Sequence, residues 1–156
     1  MSTIHNTFII ERTYSAPPER VFAAFADPAK KRRWFGESHH HDVETFEMDF
    51  RVGGIETARY KMNASTPFPG VELASTGIFH VIVTNERIVS SGTMSVGGKC
   101  ISAALVTFEL EPSGDGGCTK LIFTHQAAFF PGADGPAMRE QGWRSLLERV
   151  ATELAP

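Results

Sequence analysis

The clearest pattern in the chain is the alternation of apolar and polar residues that predicts β-strands. In residues 71–83, for example, Phe79, Val81 and Val83 fall on one side of an extended chain and His80 falls on the other. Paired glycines or other turn residues separate most of these segments, as expected for hairpins. The pattern predicts strands at residues 8–14, 42–50, 55–62, 71–83, 87–96, 100–112 and 118–130.

Two short helices are predicted between the first strand and the second. Val21, Phe22 and Phe25 form one apolar face directly after a pair of prolines, which suit a first helical turn. Asp27 is a suitable N-cap for a second helix over residues 28–35. These helices are too short to cover a sheet.

The end of the chain carries the long apolar stripe that a sheet with one apolar face needs as a cover. The stripe lies on a predicted helix that ends at Leu154, and its members are Trp143, Leu146, Leu147, Val150 and Leu154. We therefore predict an α+β fold, with a curved antiparallel sheet of about seven strands wrapped around the long C-terminal helix. The two short helices close one end, and residues 1–156 form one domain.

Composition and charge narrow the function classes. The 156 residues include 12 Phe, 2 Trp and 2 Tyr, an aromatic content suited to a core or a pocket wall. The net charge of −3 argues against nucleic acid as a partner, and the basic run at residues 30–33 is interpreted as a solvated helix face. No apolar run reaches the roughly 18 residues of a membrane span, and residues 1–7 do not resemble a signal peptide. A cytoplasmic location is expected.

Several short motifs, taken together, resemble the START-like (SRPBCC) superfamily. The opening motifs are Tyr14-Ser-Ala-Pro-Pro-Glu-Arg-Val-Phe22, Asp27-Pro28 and Trp34-Phe35-Gly36. The later ones resemble the branch of single-domain proteins related to the activator of Hsp90 ATPase, and they are residues 49–54, 85–88 and 119–125 and Gly142-Trp143. The resemblance covers nearly the whole chain. It implies a helix-grip fold with a cavity between the sheet and the long helix, in a superfamily whose members bind lipids, hormones, polyketides or other apolar molecules and include some cyclases.

His125 is the first candidate for a polar group inside such a cavity. By strand parity it shares a face with Leu121 and Phe123, and a neutral imidazole there could bind a ligand or move a proton. The alternative is a core histidine bonded to a backbone carbonyl. Tyr60 and Trp143 are the next candidates, and they could equally be core residues. The predicted ligand-binding set is Phe22, Phe25, Phe46, Met48, Tyr60, Phe79, Phe108, Phe123, His125 and Trp143.

The leading hypothesis is a protein that binds an apolar or amphipathic small molecule. One alternative is a polyketide-cyclase-like or hydrolase-like enzyme that uses His125. The other is a stress-response module that contacts a chaperone, with residues 30–35 as the surface to inspect. The chain lacks a phosphate loop, a Rossmann glycine motif and a nucleophile elbow, so we favour binding over catalysis and predict no catalytic residue and no cofactor. A homodimer is left open.

Two features that suggest a metal or a disulfide are not interpreted as sites. In an extended chain only His39 and His41 share a side, while Asp42 lies on the other, so the run at residues 39–42 is predicted to be a solvated loop and no metal site is expected. Cys118 should face Ser113 across a hairpin, which leaves Cys100 roughly 40 Å away at about 3.3 Å per residue. A disulfide is therefore excluded, and reduced thiols are expected.

Overall fold

The structure is a computed structural model and describes residues 2–37 and 41–156. The described strands are β1 (Ile4–Tyr14), β2 (His41–Met48), β3 (Ile55–Met62), β4 (Glu72–Val83), β5 (Arg87–Val96), β6 (Lys99–Ser113) and β7 (Cys118–Phe129). They form one curved antiparallel sheet in the order β1-β7-β6-β5-β4-β3-β2. Two short helices follow β1, and a long helix follows β7. Their bounds are α1 (Pro18–Ala26), α2 (Pro28–Lys31) and α3 (Pro136–Leu154). This is the helix-grip architecture expected from the sequence.

The helix α2 begins at Pro28, where the sequence predicts, and α1 begins at Pro18 with Pro17 as its N-cap. The Asp27 carboxylate accepts hydrogen bonds from the backbone N–H groups of Ala29 at 2.9 Å and Lys30 at 3.4 Å, which confirms the predicted N-cap of α2. The second helix is not a single α-helix, because α2 passes into a π-helical turn over Arg32–Gly36. The turn buries the indole of Trp34, which donates to the carbonyl of Ala24 at 2.7 Å.

The apolar stripe of α3 packs against the concave face of the sheet as predicted. Leu147 and Val150 are fully buried there, and Trp143, Leu146 and Leu154 pack against the same core. The Tyr14 hydroxyl of β1 donates to the carbonyl of Leu147 at 2.8 Å and so joins the helix to the sheet.

Two further local predictions were wrong. The sheet pairing passes from Phe79 directly to Val81, so His80 lies in a β-bulge that reverses the strand parity. Val81 is therefore 38% exposed, and Ile82 packs against the core in its place. The basic run at residues 30–33 is not wholly solvated either, because Lys31 is buried.

No helix in the described part of the chain is both long and apolar enough to cross a membrane.

Candidate functional site

A cavity of about 110 Å³ lies between the middle of the sheet and α3. It forms because small residues occupy the concave face there. Gly77 of β4 pairs with Gly92 of β5, which pairs with Ala104 of β6. Ser75 lies two residues before Gly77 on β4, and Ser90 lies two residues before Gly92 on β5. Both line the cavity and are small as well. The side chains of α3 therefore find no bulky partners over this patch, and space remains.

The two glycines are required by the close approach of β4 and β5. A Cβ atom added to Gly92 would lie 2.4 Å from the carbonyl oxygen of Thr76 and 2.9 Å from the Cα of Gly77. A Cβ atom on Gly77 would lie 3.0 Å from the carbonyl oxygen of Ser91. The same residues that allow the strands to approach thus leave the floor of the cavity without side chains.

His125 of β7 lines the cavity and is 1% exposed. Its ring stacks on Phe8 at 4.6 Å with an interplanar angle of 10°, and Phe123 and Phe129 pack around it at 6.1 and 6.3 Å. Its buried Nδ1 has no hydrogen-bond partner among the described residues. Burial, followed by the positive charge of Arg139, lowers the pKa of His125 to about 4, so the imidazole is neutral at pH 7.

Arg139, in the first turns of α3, also lines the cavity and has an 8% exposed side chain. Its Nε donates to Asp134 Oδ2 at 2.7 Å, and its Nη2 donates to Asp134 Oδ1 at 2.8 Å. The same Nη2 donates to Ser102 Oγ at 3.0 Å. The guanidinium carbon lies 5.0 Å from the ring centre of Phe129. These contacts hold a buried cation at the cavity wall, with its Nη1 N–H groups unused by the described hydrogen bonds.

A buried ion pair lines another part of the wall. Lys31 Nζ lies 2.6 Å from Glu56 Oε1, and the two side chains are 8% and 18% exposed. The ammonium also lies 5.1 Å from the ring centre of Phe35 and 5.9 Å from that of Phe79. Burying both charges costs desolvation energy, so the ion pair is weak evidence for a gain in stability. It does make this part of the wall polar.

Of the predicted ligand-binding residues, Phe108, His125 and Trp143 line the cavity. The others lie in or beside the apolar core. Phe22, Phe25, Phe79 and Phe123 belong to the core cluster, Met48 packs against it, and the ring of Phe46 lies 6.3 Å from that of Phe35. The parity argument for His125 is confirmed, since Leu121, Phe123 and His125 are all buried on one face. A role in binding stays a prediction for each member of the set.

Tyr60 is buried away from the cavity wall. Its ring lies 4.5 Å from the ring of His41, and its hydroxyl has no hydrogen-bond partner in the described part of the chain. Burial, and then the negative charge of Glu56, raise the pKa of the Tyr60 hydroxyl. It therefore stays protonated and could serve as a hydrogen-bond donor.

Sequence reasoning missed the cavity residues Arg139, Ser102, Lys31 and Glu56. Two of these had a usable signal. Arg139 precedes Trp143 by one helical turn and so shares its face. Ser102 lies on the same strand parity as the inward-facing Phe108 and Leu110. A charged residue at such a position is usually solvated, which is why it was not selected.

The metal and disulfide arguments have the following outcomes. His39 and His40 lie outside the described residues. The prediction of a solvated loop was wrong for His41 and Asp42, which begin β2, and His41 Nε2 lies 2.6 Å from the carbonyl oxygen of Gly36. In residues 2–37 and 41–156 no group of three His, Cys, Asp or Glu side chains is placed to hold a metal ion. Cys118 pairs with Ser113 as predicted, and Cys100 and Cys118 are free.

Comparison with known proteins gives consistent results. The family model described as "Activator of Hsp90 ATPase homolog 1-like protein" matches residues 15–155. The crystal structure of the Mll3558 protein from Rhizobium loti is 46% identical, covers 98% of this chain and 99% of its own, and has a TM-score of 0.85. A Rhizobium leguminosarum protein is 34% identical over 98% and 96%, with a TM-score of 0.88. An AHSA1-like protein from Aeromonas hydrophila, 21% identical over 96% and 92%, shares the fold with a TM-score of 0.69. No curated protein matches the chain.

Proposed function

Since the chain belongs to the family of Activator of Hsp90 ATPase homolog 1-like proteins and has their START-like fold, we propose that it binds an apolar or amphipathic small molecule in the cavity between the sheet and α3. The observation that carries the proposal is the pocket itself, whose wall combines apolar side chains with the buried polar groups His125 and Arg139. Small-molecule sites have this composition.

The volume of the cavity limits the size of the ligand. A cavity of about 150 Å³ lined by apolar side chains binds benzene. The pocket here has about 110 Å³ and is partly open, so a molecule of that size fits inside it and a longer one would extend beyond it. Val106, Phe108 and Trp143 supply apolar contacts, while His125 and Arg139 supply polar ones. This combination suits an amphipathic ligand.

Catalysis is less well supported than binding. A histidine base needs a proton donor within hydrogen-bond reach, and a nucleophile–base pair needs a third group to orient the base. In the described chain His125 Nδ1 has no such partner, and Ser102 Oγ is bonded to Arg139. We therefore propose binding without a committed reaction.

Contact with a chaperone through residues 30–35 has little structural support. Trp34 is 1% exposed, and Arg33 is engaged by Glu153 of α3 at 3.0 Å through its Nε. Arg149 also donates to the carbonyl of Arg33 at 2.8 Å. The segment packs against α3 and presents no exposed apolar pair, so we give the small-molecule role priority.

Filling the cavity tests the proposal. Ala104→Leu adds a branched chain at the cavity wall, and Ala103→Leu makes the same change on the opposite face of β6. Each protein is titrated with 1-butanol, butyrate and butylammonium, which have chains of equal length, and amide shifts are followed by NMR.

We expect at least one probe to bind the unmodified protein and Ala103→Leu, and to lose about tenfold or more in affinity for Ala104→Leu, equivalent to about 1.4 kcal/mol. Binding that is equal in both variants would place the probe elsewhere. Failure of all three probes to bind the unmodified protein would refute the proposal.

A further inference from the structure

The charge of the cavity wall gives information on the class of ligand, an inference that rests on the proposed binding function. The wall carries two cations, Lys31 and Arg139, and one carboxylate, Glu56. Asp134 pairs with Arg139 from outside the wall, with a side chain that is 23% exposed, so these four charges sum to zero. Of this pair only the cation lines the cavity, so the wall at Arg139 favours an anionic group over a cationic one.

The electrostatic effects on His125 point in the same direction. Arg139 lowers the pKa of His125 more strongly than Asp134 raises it. The potential at the imidazole is therefore positive even though the Arg139 guanidinium is paired. A negative charge placed beside the ring would be stabilised by this potential.

Unused donors lie at the same part of the wall. The described hydrogen bonds use Nε and Nη2 of Arg139, which leaves the N–H groups of Nη1. The Ser102 hydroxyl accepts from Arg139 and keeps its own O–H for another acceptor. Carboxylate oxygens accept several such bonds, and guanidinium donors suit them best.

We infer that the cavity binds a short-chain monocarboxylic acid, with the carboxyl group at Arg139, Ser102 and His125 and the hydrocarbon chain against Val106, Phe108 and Trp143. The volume of about 110 Å³ suits a short hydrocarbon chain of roughly the bulk of benzene.

Binding of such an acid requires no proton from solvent. The neutral imidazole of His125 carries one N–H that can donate to a carboxylate, and Arg139 and Ser102 supply donors as well. The charged side chains on the elements around the imidazole are Arg139, Asp134, Lys31 and Glu56. The strands on either side pair Phe8 and Val106 with His125 and add no titratable group. Because the imidazole stays neutral in this range, affinity for butyrate should not rise as the pH falls from 8 toward 6.

The matched probes separate this inference from the proposed function. Butyrate is expected to bind about tenfold more tightly than 1-butanol or butylammonium, because a charge-assisted hydrogen bond contributes about 1.5–3 kcal/mol. Calorimetry at pH 7 in buffers of different ionisation enthalpy should show no proton uptake with butyrate. Equal binding of 1-butanol and butyrate would overturn the carboxylate assignment and leave the binding function intact. Tighter binding of butylammonium would also overturn it.

Variants locate the carboxyl group. His125→Phe removes the ring N–H and should reduce the preference for butyrate over 1-butanol. Arg139→Met combined with Asp134→Asn removes the cation without leaving a buried carboxylate, and it should reduce the same preference. Arg144→Gln, on the exposed side of α3, is the control and should leave the preference unchanged. An unchanged preference in both site variants would refute the assignment.

Discussion

Replacement of His125 by phenylalanine is expected to make the protein more stable, and more strongly so in acid. The imidazole is enclosed by the rings of Phe8, Phe123 and Phe129, and the adjacent cavity gives room for the additional ring atom. Phenylalanine also removes a buried nitrogen that has no partner in the described chain. At pH 7 the expected gain in unfolding free energy is about 1–2 kcal/mol. It corresponds to roughly 2–8 °C in Tm for a protein of this size.

The acid dependence follows from the shifted pKa. His125 has a pKa of about 4 when folded, against about 6.5 when unfolded, so the unfolded chain binds more protons between these values. The unfolding free energy is therefore at its full value above pH 6.5, where His125 is neutral in both states, and it decreases as the pH falls toward 4. Phenylalanine has no such loss. The advantage of His125→Phe should therefore grow by about 2 kcal/mol between pH 7.5 and pH 5.

Urea denaturation at a series of pH values measures this difference directly. His80→Phe is the control, because His80 is an exposed histidine whose Nε2 lies 2.6 Å from Ser91 Oγ on the other face of the sheet. It should not give the gain in unfolding free energy at pH 7. A stability difference for His125→Phe that stays constant from pH 7.5 to pH 5 would refute the assignment of a buried neutral imidazole. A loss of stability at pH 7 would mean that His125 makes a stabilising hydrogen bond.

Three further changes in unfolding free energy can be measured in the same way. Gly92→Ala should lose about 1–3 kcal/mol because its Cβ meets the backbone of β4, whereas Gly142→Ala, on the open side of α3, should gain about 0.5–1 kcal/mol. Equal effects would contradict the close strand approach. Glu56→Gln should lower the unfolding free energy by about 3 kcal/mol, because it leaves the buried ammonium of Lys31 without its partner. Addition of Lys31→Met should recover most of this loss. No recovery would show that the loss is not electrostatic. Tyr14→Phe should lower the unfolding free energy by about 1 kcal/mol, because it removes the hydrogen bond from the Tyr14 hydroxyl to α3. An unchanged urea midpoint would contradict that hydrogen bond.

Much of the fold could be predicted because alternation and helical periodicity report which face of each element is buried. The predicted bounds of β3 and β5 agree with the structure to the residue. The first strand begins at Ile4 rather than Phe8, because pairing with β7 continues to Phe129 and backbone hydrogen bonding does not require alternation. The bulge at His80 was not predictable, since one unpaired residue leaves no signal in local composition.

The candidate site was only partly predictable, for a related reason. Periodicity placed His125 and Trp143 on inward faces, and both line the cavity. It could not predict where the interior would remain unfilled, because this depends on how small residues from three strands align. The pairing of Gly77 with Gly92, and of Gly92 with Ala104, is a property of strand register.

The location of a bound probe tests the central claim most directly. Isotope-filtered NMR measures NOEs between the protein and whichever of butyrate, 1-butanol and butylammonium binds. The account predicts NOEs to the methyl groups of Ala104 and Val106 at the cavity wall. NOEs confined to Leu105 and Ile78, which are each 38% exposed and lie on the other face of the sheet, would contradict it.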